Sequence, residues 1–123
     1  MIQVNISVTN KMTRAVLPQM VENKAGAIIN LSSMAGRMPT PMLAVYSGTK
    51  AYLDFFSKAL SQEYQAQGIV VQSVTPGMVV SNMSKIRRPS LMVASPEHIA
   101  QRSVGRLGDE VELSPFYTHG IIK

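Results

Sequence analysis

The sequence contains no cysteine and no tryptophan, and it has only 7 acidic residues against 12 lysines and arginines among 123 residues. Without thiols the chain can form neither disulfides nor thiolate metal sites. Its two histidines, His98 and His119, lie in different segments and do not have the spacing typical of metal ligands. No metal site is therefore predicted.

The excess of basic residues gives a net charge of +5, but it forms no stripe interleaved with aromatic side chains. Such a stripe is typical of nucleic-acid binding, so no nucleic-acid partner is expected. The single dense basic group is Lys85, Arg87 and Arg88. This group fits either a solvated loop or a contact with a phosphate-bearing ligand or membrane lipid.

Long apolar runs are also absent. No run approaches the roughly 18 residues that a transmembrane helix needs. The first residues, MIQVNISVTNK, lack the apolar core of a signal peptide. The chain as read is expected to be soluble and to carry neither a transmembrane nor a signal segment.

Apolar periodicity divides the chain into helices and short β-branched strands. The pattern predicts a helix over 2–22, a buried strand over 26–32, a helix over 44–67, a strand over 69–75, a helix over 95–107 and a short last strand around 116–122. The stretch from 78 to 94 shows no regular pattern. Strand, helix, strand is the unit of a parallel sheet, and no linker divides the chain. Residues 1–123 are therefore predicted to form one α/β unit with helices packed on a parallel sheet.

Polar side chains follow both predicted strands at the point where each strand ends. Ser32 and Ser33 follow the first strand, and Pro76-Gly77 follows the second. Because ligands of parallel α/β sheets bind beyond the carboxyl ends of the strands, a site is expected there. Tyr46 and Lys50 begin the intervening helix, and their spacing of four places them on one helix face.

These residue types suit proton transfer to a carbonyl oxygen. A phenol has a reference pKa of about 10, and a cation one helical turn away favours its ionised form. Ser33 could donate a hydrogen bond to a carbonyl while Tyr46 delivers the proton, which matches reduction of a ketone or its reverse. Taken alone, Tyr46 and Lys50 also fit a solvated pair on a helix face. Ser32 could face the site in place of Ser33, although the separation of thirteen residues from Tyr46 favours Ser33.

The order of Asn5, Ser33, Tyr46, Lys50 and Pro76-Gly77 resembles the catalytic half of the short-chain dehydrogenase/reductases. The stretches that resemble this family are VNISVTNKMTRAVLPQM, GAIINLSS, VYSGTKAYLDFFSKAL and VVQSVTPG. SKIRRPSL and SPEHIAQ look most like the microsomal branch of 17β-hydroxysteroid dehydrogenases and very-long-chain 3-oxoacyl-CoA reductases. The resemblance covers residues 2–82 well.

The resemblance implies a role for each matched residue. Tyr46 would be the acid/base, and Lys50 would lower its pKa and hold the nicotinamide ribose hydroxyls. Ser33 would orient the substrate carbonyl, and Asn5 would hold a water that relays protons to Lys50, although Asn5 could instead be a helix N-cap. The residues that would border the nicotinamide are Pro76, Gly77, Val79 and Ser81; the family more often has Thr at the last of these positions.

The resemblance also implies partners and a location. The cofactor would be NADPH, with NADH not excluded, and the substrate a long apolar ketone such as a 3-oxoacyl-CoA or a steroid. Helices 2–22 and 44–67 would pair two copies in a homodimer. The parent protein would reside at the endoplasmic reticulum membrane, held there by segments absent from this sequence.

The glycine-rich turn that receives the cofactor pyrophosphate is missing, because Gly26, Gly36 and Gly48 do not form GxxxGxG. The NNAG element of the family is missing as well. We therefore expect the C-terminal part of a Rossmann-like doubly wound parallel sheet that lacks the first βαβ half, and an isolated chain that is inactive. The alternative is a catalytically inactive remnant that acts only by protein association.

Overall fold

The computed structural model describes residues 1–76, 78–79, 93–108 and 112–113. It begins with a π-helical segment, Gln3–Val8, which runs directly into helix α1. The remaining helices and strands are α1 (Thr9–Asn23), β1 (Gly26–Leu31), α2 (Ala44–Tyr64), β2 (Ile69–Val74), β3 (Met78–Val79), β4 (Val93–Ala94), α3 (Pro96–Gly105) and β5 (Glu112–Leu113). Short 3-10 turns lie at Met34–Gly36 and Gln65–Gln67.

The helices follow the predicted pattern closely. α1 continues through Pro18 to Asn23 and ends at Lys24, whose left-handed backbone has φ 53°. α3 begins as predicted, with the Ser95 side chain accepting a hydrogen bond from the His98 amide at 3.2 Å and with proline in its first turn. Gly68 follows the turn after α2 with φ 78°, and a Cβ at this position would overlap the Lys24 carbonyl oxygen. Only glycine therefore fits where the ends of α1 and α2 meet.

The predicted strand, helix, strand unit is confirmed. β1 and β2 pair in parallel from Gly26 opposite Ile69 to Leu31 opposite Val74. β5 pairs in parallel with the other edge of β2, which gives the strand order β1-β2-β5. β2 is therefore the central strand of this sheet.

Two predictions beyond Pro76 fared differently. β3 and β4 form a separate parallel pair inside the stretch predicted to be irregular, so that prediction was wrong at both ends of the stretch. Strands of two residues are too short for an alternating pattern to reveal them. The last strand predicted around 116–122 lies outside the described residues, and the structure places β5 earlier, at Glu112–Leu113.

The two faces of the sheet have different neighbours. Asn30 and Ser73 face α2, because their side chains bond Ser57 at 2.8 Å and Asp54 at 2.7 Å. Gln72 faces the opposite way and donates to the backbone carbonyl of Arg106, just after α3, at 3.1 Å. Helices and the segments that follow them thus pack on both faces of β2.

β1 is not the fully buried strand that its apolar sequence predicts. Burial alternates along it, and Ile29 and Leu31 are 37% and 57% exposed. In the described part of the chain, β1 lies at the edge of the sheet, and its inward face packs on α1 and α2. These neighbours therefore leave part of the apolar surface of β1 uncovered.

Apolar packing and polar contacts occupy different levels of the sheet. Leu60, Ile69 and Val71 form a buried cluster toward the amino ends of the strands, where α1 packs on them. The polar contacts of α2 to Asn30 and Ser73 lie closer to the carboxyl ends. Among the residues described, no helix is long and apolar enough to cross a membrane, and no group of side chains is arranged to hold a metal ion.

Candidate active site

The two strand ends predicted to form a site lie side by side. The amide of Ser32 donates to the Val74 carbonyl at 2.8 Å, which extends the β1-β2 ladder by one bond. The amide of Met34 then donates to the Pro76 carbonyl at 3.1 Å. The loop that carries Ser33 and the loop that begins at Pro76 therefore leave the sheet together.

Tyr46 and Lys50 lie at the start of α2, next to these strand ends. The Lys50 Nζ is 5.7 Å from the centre of the Tyr46 ring, so the predicted shared helix face is confirmed. The same amine donates to the Leu31 carbonyl at 2.9 Å. Both side chains are half-buried, which leaves each of them accessible at the strand ends.

Burial lowers the pKa of the Lys50 amine, because the ammonium form loses solvation there. This change could not be predicted from the sequence, since it depends on how deeply α2 is packed against the strand ends. The folded chain therefore favours the neutral amine of Lys50 more than an exposed position would.

The structure distinguishes the two adjacent serines. Ser33 is half-buried, and its Oγ accepts a hydrogen bond from the Ala35 amide at 3.2 Å, which leaves its hydroxyl proton able to donate. Ser32 is 3% exposed, and its Oγ donates to the Lys50 carbonyl at 2.7 Å. Ser33 is therefore the serine that can offer a donor to a ligand.

Asn5 lies inside the π-helical segment, where its amide bonds the Met1 carbonyl at 2.9 Å. The alternative that Asn5 caps a helix is therefore wrong, because a cap residue lies outside the helical turns. Its Nδ2 donates to the Thr49 Oγ1 at 3.0 Å, and that hydroxyl donates to the Tyr46 carbonyl at 2.8 Å. Asn5 thus contacts the residue next to Lys50. π-helical turns are rare and occur often at functional sites.

Several predicted residues cannot be placed in this geometry. Gly77 and Ser81 lie outside the described residues, as do Lys85, Arg87, Arg88 and His119. Val79 belongs to the short strand β3. Pro76 contacts the loop after β1 through its carbonyl, and Val79 pairs with Ala94 of β4.

An open cleft of about 610 Å³ lies beside α2, between loop 35–41 and the small residues Ala44, Ser47, Gly48 and Ala51. Neither Tyr46 nor Lys50 lines this cleft. The candidate site is therefore not this cleft. It lies at the strand ends, because the groups able to exchange protons converge there.

Sequence reasoning missed three residues that position the site. Thr49 connects Asn5 to the first turn of α2, and Asp54 and Ser73 join α2 to β2 within the buried layer. Asp54 gave a usable signal, because an acidic residue on the apolar face of a helix needs a buried partner. Thr49 gave none, because its contact with Asn5 spans 44 residues of sequence.

The architecture is that of a known class. A family model described as short chain dehydrogenase matches residues 1–91. The chain therefore belongs to the short chain dehydrogenase family, and the predicted fold class, part of a doubly wound parallel α/β sheet, is confirmed.

Named relatives match almost the entire chain. Very-long-chain 3-oxoacyl-CoA reductase-B of Danio rerio is 41% identical over 122 residues, which cover 99% of this chain and 39% of that protein. Very-long-chain 3-oxoacyl-CoA reductase of Homo sapiens is 42% identical over 122 residues, with the same two shares. The chain thus spans 39% of the length of these relatives.

Solved structures show the same fold. A 7beta-hydroxysteroid dehydrogenase superposes with a TM-score of 0.87 at 22% identity, over 99% of this chain and 50% of that chain. A short-chain dehydrogenase from Sphingobium yanoikuyae in complex with NADPH gives a TM-score of 0.77 at 28% identity, over 91% of this chain and 45% of that chain. Each superposition covers half or less of the solved chain.

Proposed function

We propose that residues 1–123 form the catalytic part of a single NAD(P)-dependent oxidoreductase domain that reduces a ketone to a secondary alcohol. The observation that supports this most is the convergence of Ser33, Tyr46 and Lys50 where β1 and β2 end. The substrate is a long apolar carbonyl compound, a 3-oxoacyl-CoA first and a steroid second. The names of the relatives support this order.

In this proposal Ser33 and Tyr46 act on one carbonyl oxygen. Ser33 donates a hydrogen bond to the oxygen and fixes its direction. Tyr46 donates its phenolic proton to the same oxygen as the alkoxide forms. Lys50 stands one turn from Tyr46, and its charge favours the phenolate that remains. Asn5 holds a water that returns a proton toward Lys50.

The side chains present fit a nicotinamide ribose. The Lys50 amine is a donor held at the strand ends, and the Tyr46 side chain lies one helical turn away. Together they provide what two neighbouring ribose hydroxyls need. When bound, the reduced nicotinamide supplies a hydride to the carbonyl carbon. Pro76, Gly77, Val79 and Ser81 would border its ring.

NADPH is the proposed cofactor. The Sphingobium yanoikuyae relative binds NADPH in its solved structure, which supports this choice. The residues that separate NADPH from NADH belong to the pyrophosphate and adenosine part of such a site. Steady-state assays of the full-length protein with both cofactors would distinguish them.

The proposed partner is a second copy of the protein, paired through α1 and α2, the predicted helices 2–22 and 44–67. Apolar side chains exposed on both helices support this, among them Met12 at 61% and Phe55 at 70%. The proposed location is the endoplasmic reticulum membrane. This rests on the resemblance to the microsomal branch, with membrane contact made by segments other than residues 1–123.

The test is replacement of Tyr46 by Phe in the full-length protein. Tyr46→Phe should lower kcat on 3-oxoacyl-CoA substrates by about 1,000-fold, since general acid catalysis contributes roughly 100- to 10,000-fold. Tyr52→Phe is the matched control, because Tyr52 lies on the same helix and its hydroxyl donates to Asn10 at 2.8 Å, away from the strand ends. A Tyr46→Phe enzyme that keeps most of its rate would exclude Tyr46 as the acid. A wild type without turnover on any carbonyl substrate would favour the non-catalytic alternative.

A further inference from the structure

Ser32 lies at the end of β1 and has no part in the mechanism proposed above. Its side chain is 3% exposed, so it cannot reach a substrate. Its Oγ donates to the backbone carbonyl of Lys50 at 2.7 Å. This bond joins the strand end directly to the helical turn that holds the proposed catalytic amine.

A second bond connects the same two places. The Lys50 Nζ donates to the carbonyl of Leu31, the residue before Ser32, at 2.9 Å. The two bonds differ in what they hold. The amine can exchange the Leu31 carbonyl for a cofactor hydroxyl, whereas the Ser32 bond keeps the Lys50 backbone in place during that exchange.

Ser32 is itself held by the central strand. Its amide donates to the Val74 carbonyl at 2.8 Å, which continues the β1-β2 ladder. The contacts therefore run from β2 through Ser32 to Lys50. Ser33, the next residue, is held by the same ladder.

The loop after β1 also packs closely against α2, at the peptide between Lys50 and Ala51. A Cβ at Gly36 would lie 2.8 Å from both the Lys50 carbonyl carbon and the Ala51 nitrogen. These are backbone atoms, which cannot move aside as a flexible side chain could. The peptide that follows Lys50 is thus contacted by Ser32 and by Gly36.

We propose that Ser32 is a positioning residue, which sets the distance between the strand end that carries Ser33 and the helical turn that carries Tyr46 and Lys50. The Ser33 and Tyr46 hydroxyls must meet on one carbonyl oxygen. A displacement of about 1 Å in such an arrangement can lower the rate roughly 100-fold. The inference rests on the proposed function of Tyr46 and Lys50.

The first test compares two buried serines in the full-length protein. Ser57 is the control, because its hydroxyl is fully buried, donates to the Leu53 carbonyl at 2.8 Å and accepts from Asn30. Ser32→Ala should lower kcat by about 10- to 100-fold and raise the KM for NADPH. Ser57→Ala should lower Tm to a similar extent and leave kcat within about two-fold of the wild type, because it does not touch the Lys50 turn. If Ser32→Ala folds poorly, Ser32→Cys keeps the volume with a weak donor and permits the same comparison.

The second readout does not depend on activity. Burial lowers the pKa of Lys50, and NMR titration of its Cε carbon in ¹³C-lysine-labelled protein would follow that pKa. Ser32→Ala should admit water to the loosened turn and move the pKa of Lys50 upward, whereas Ser57→Ala should leave it in place. In the part of the chain that the structure describes, Tyr46 is the titratable group found beside the amine, so each titration is repeated with Tyr46→Phe.

A Lys50→Met enzyme distinguishes failure of the proposed function from failure of the positioning role of Ser32. Full activity in Lys50→Met would overturn the proposed function itself. If Lys50→Met loses activity while Ser32→Ala matches Ser57→Ala in kcat and in the Lys50 titration, the positioning role of Ser32 is overturned alone. Reduced kcat together with the raised pKa in Ser32→Ala supports it.

Discussion

Lys50 is half-buried in the folded chain, and its pKa is lowered by loss of solvation. In the unfolded chain the amine regains its usual pKa of about 10.5. Between the two values the unfolded state binds a proton that the folded state does not. The contribution of Lys50 to folding stability must therefore rise with pH through that window, and its penalty is complete below it.

This gives a prediction for Lys50→Met. The variant lacks the titrating group, so the difference in Tm, wild type minus variant, should become more favourable to the wild type as the pH rises toward about 10.5. Differential scanning calorimetry over this range would measure it. A difference that falls with pH would contradict the burial of Lys50.

The sequence was sufficient to find Tyr46 and Lys50, because a spacing of four on a helix fixes their common face. The separation of thirteen residues from Tyr46 favoured Ser33 over Ser32, but the strand pattern alone did not show which of the two faces the site. Consecutive residues at a strand end point to opposite sides, so a shift of one residue in the end of β1 exchanges their roles. The lowered pKa of Lys50 was also beyond reach, because it depends on the depth of packing.

At the scale of elements, α2 is tied to β2 by a buried polar contact. Asp54 is 5% exposed, and its carboxylate accepts from the Ser73 hydroxyl at 2.7 Å and pairs with Lys58 at 2.8 Å. Because α2 carries Tyr46 and Lys50 at its start, this contact also fixes where the site lies relative to the strand ends. Such a buried carboxylate is costly if it loses a partner.

Ser73→Ala should therefore destabilise the fold by about 1–3 kcal/mol, since it leaves a buried carboxylate oxygen without its donor. Urea unfolding monitored by circular dichroism would give the difference. Ser103→Ala is the matched control, because its buried hydroxyl donates to a backbone carbonyl, that of Ile99 one turn earlier in α3, and not to a carboxylate. Equal losses in the two variants would show that the Asp54 carboxylate gains nothing specific from Ser73.

The longer elements could be predicted from the sequence because their periods are distinct. α2 and β2 were placed within three residues of their observed ends, and Gly68 marked the boundary between them. β3 and β4 could not be predicted, since two residues define no period. The half-exposed state of β1 could not be predicted either, because a run of apolar residues does not reveal which faces have neighbours.

At the scale of the whole molecule, the proposed homodimer gives a prediction about assembly. Phe55 is 70% exposed on α2, where an interface between two copies would bury it. Phe55→Asp should shift the full-length protein from dimer to monomer, because a buried charge without a partner opposes association. Analytical ultracentrifugation would measure the shift.

The control for this prediction is Val104→Asp. Val104 is similarly exposed, at 67%, but it lies on α3, outside the proposed interface. It should leave the dimer intact. If both variants dissociate the dimer, or if neither does, the proposed interface through α1 and α2 is contradicted.

A second prediction at this scale concerns the 123-residue chain by itself. In the proposed function, Lys50, Tyr46 and Pro76 are the described residues that would contact the nicotinamide end of a cofactor, and so few contacts must offset the cost of ordering the ligand. Calorimetry with NADPH and NADH should therefore detect no binding tighter than about millimolar. The exposed Ile29 and Leu31 on β1 should also favour self-association of this chain. Micromolar binding by a monomer would mean that the cofactor site lies elsewhere.

The Lys50 amine donates to the Leu31 carbonyl, so it would compete for this acceptor with any strand that extends the sheet. Ser32 directs its amide toward β2, so Leu31 directs its carbonyl toward the opposite edge of β1. An amide of a strand joining that edge would donate to the Leu31 carbonyl. The Lys50 amine would then lose its hydrogen bond to this carbonyl. Pairing of a strand with this edge and release of the Lys50 amine would therefore occur together. Without such a strand, the amine would stay bonded to the Leu31 carbonyl.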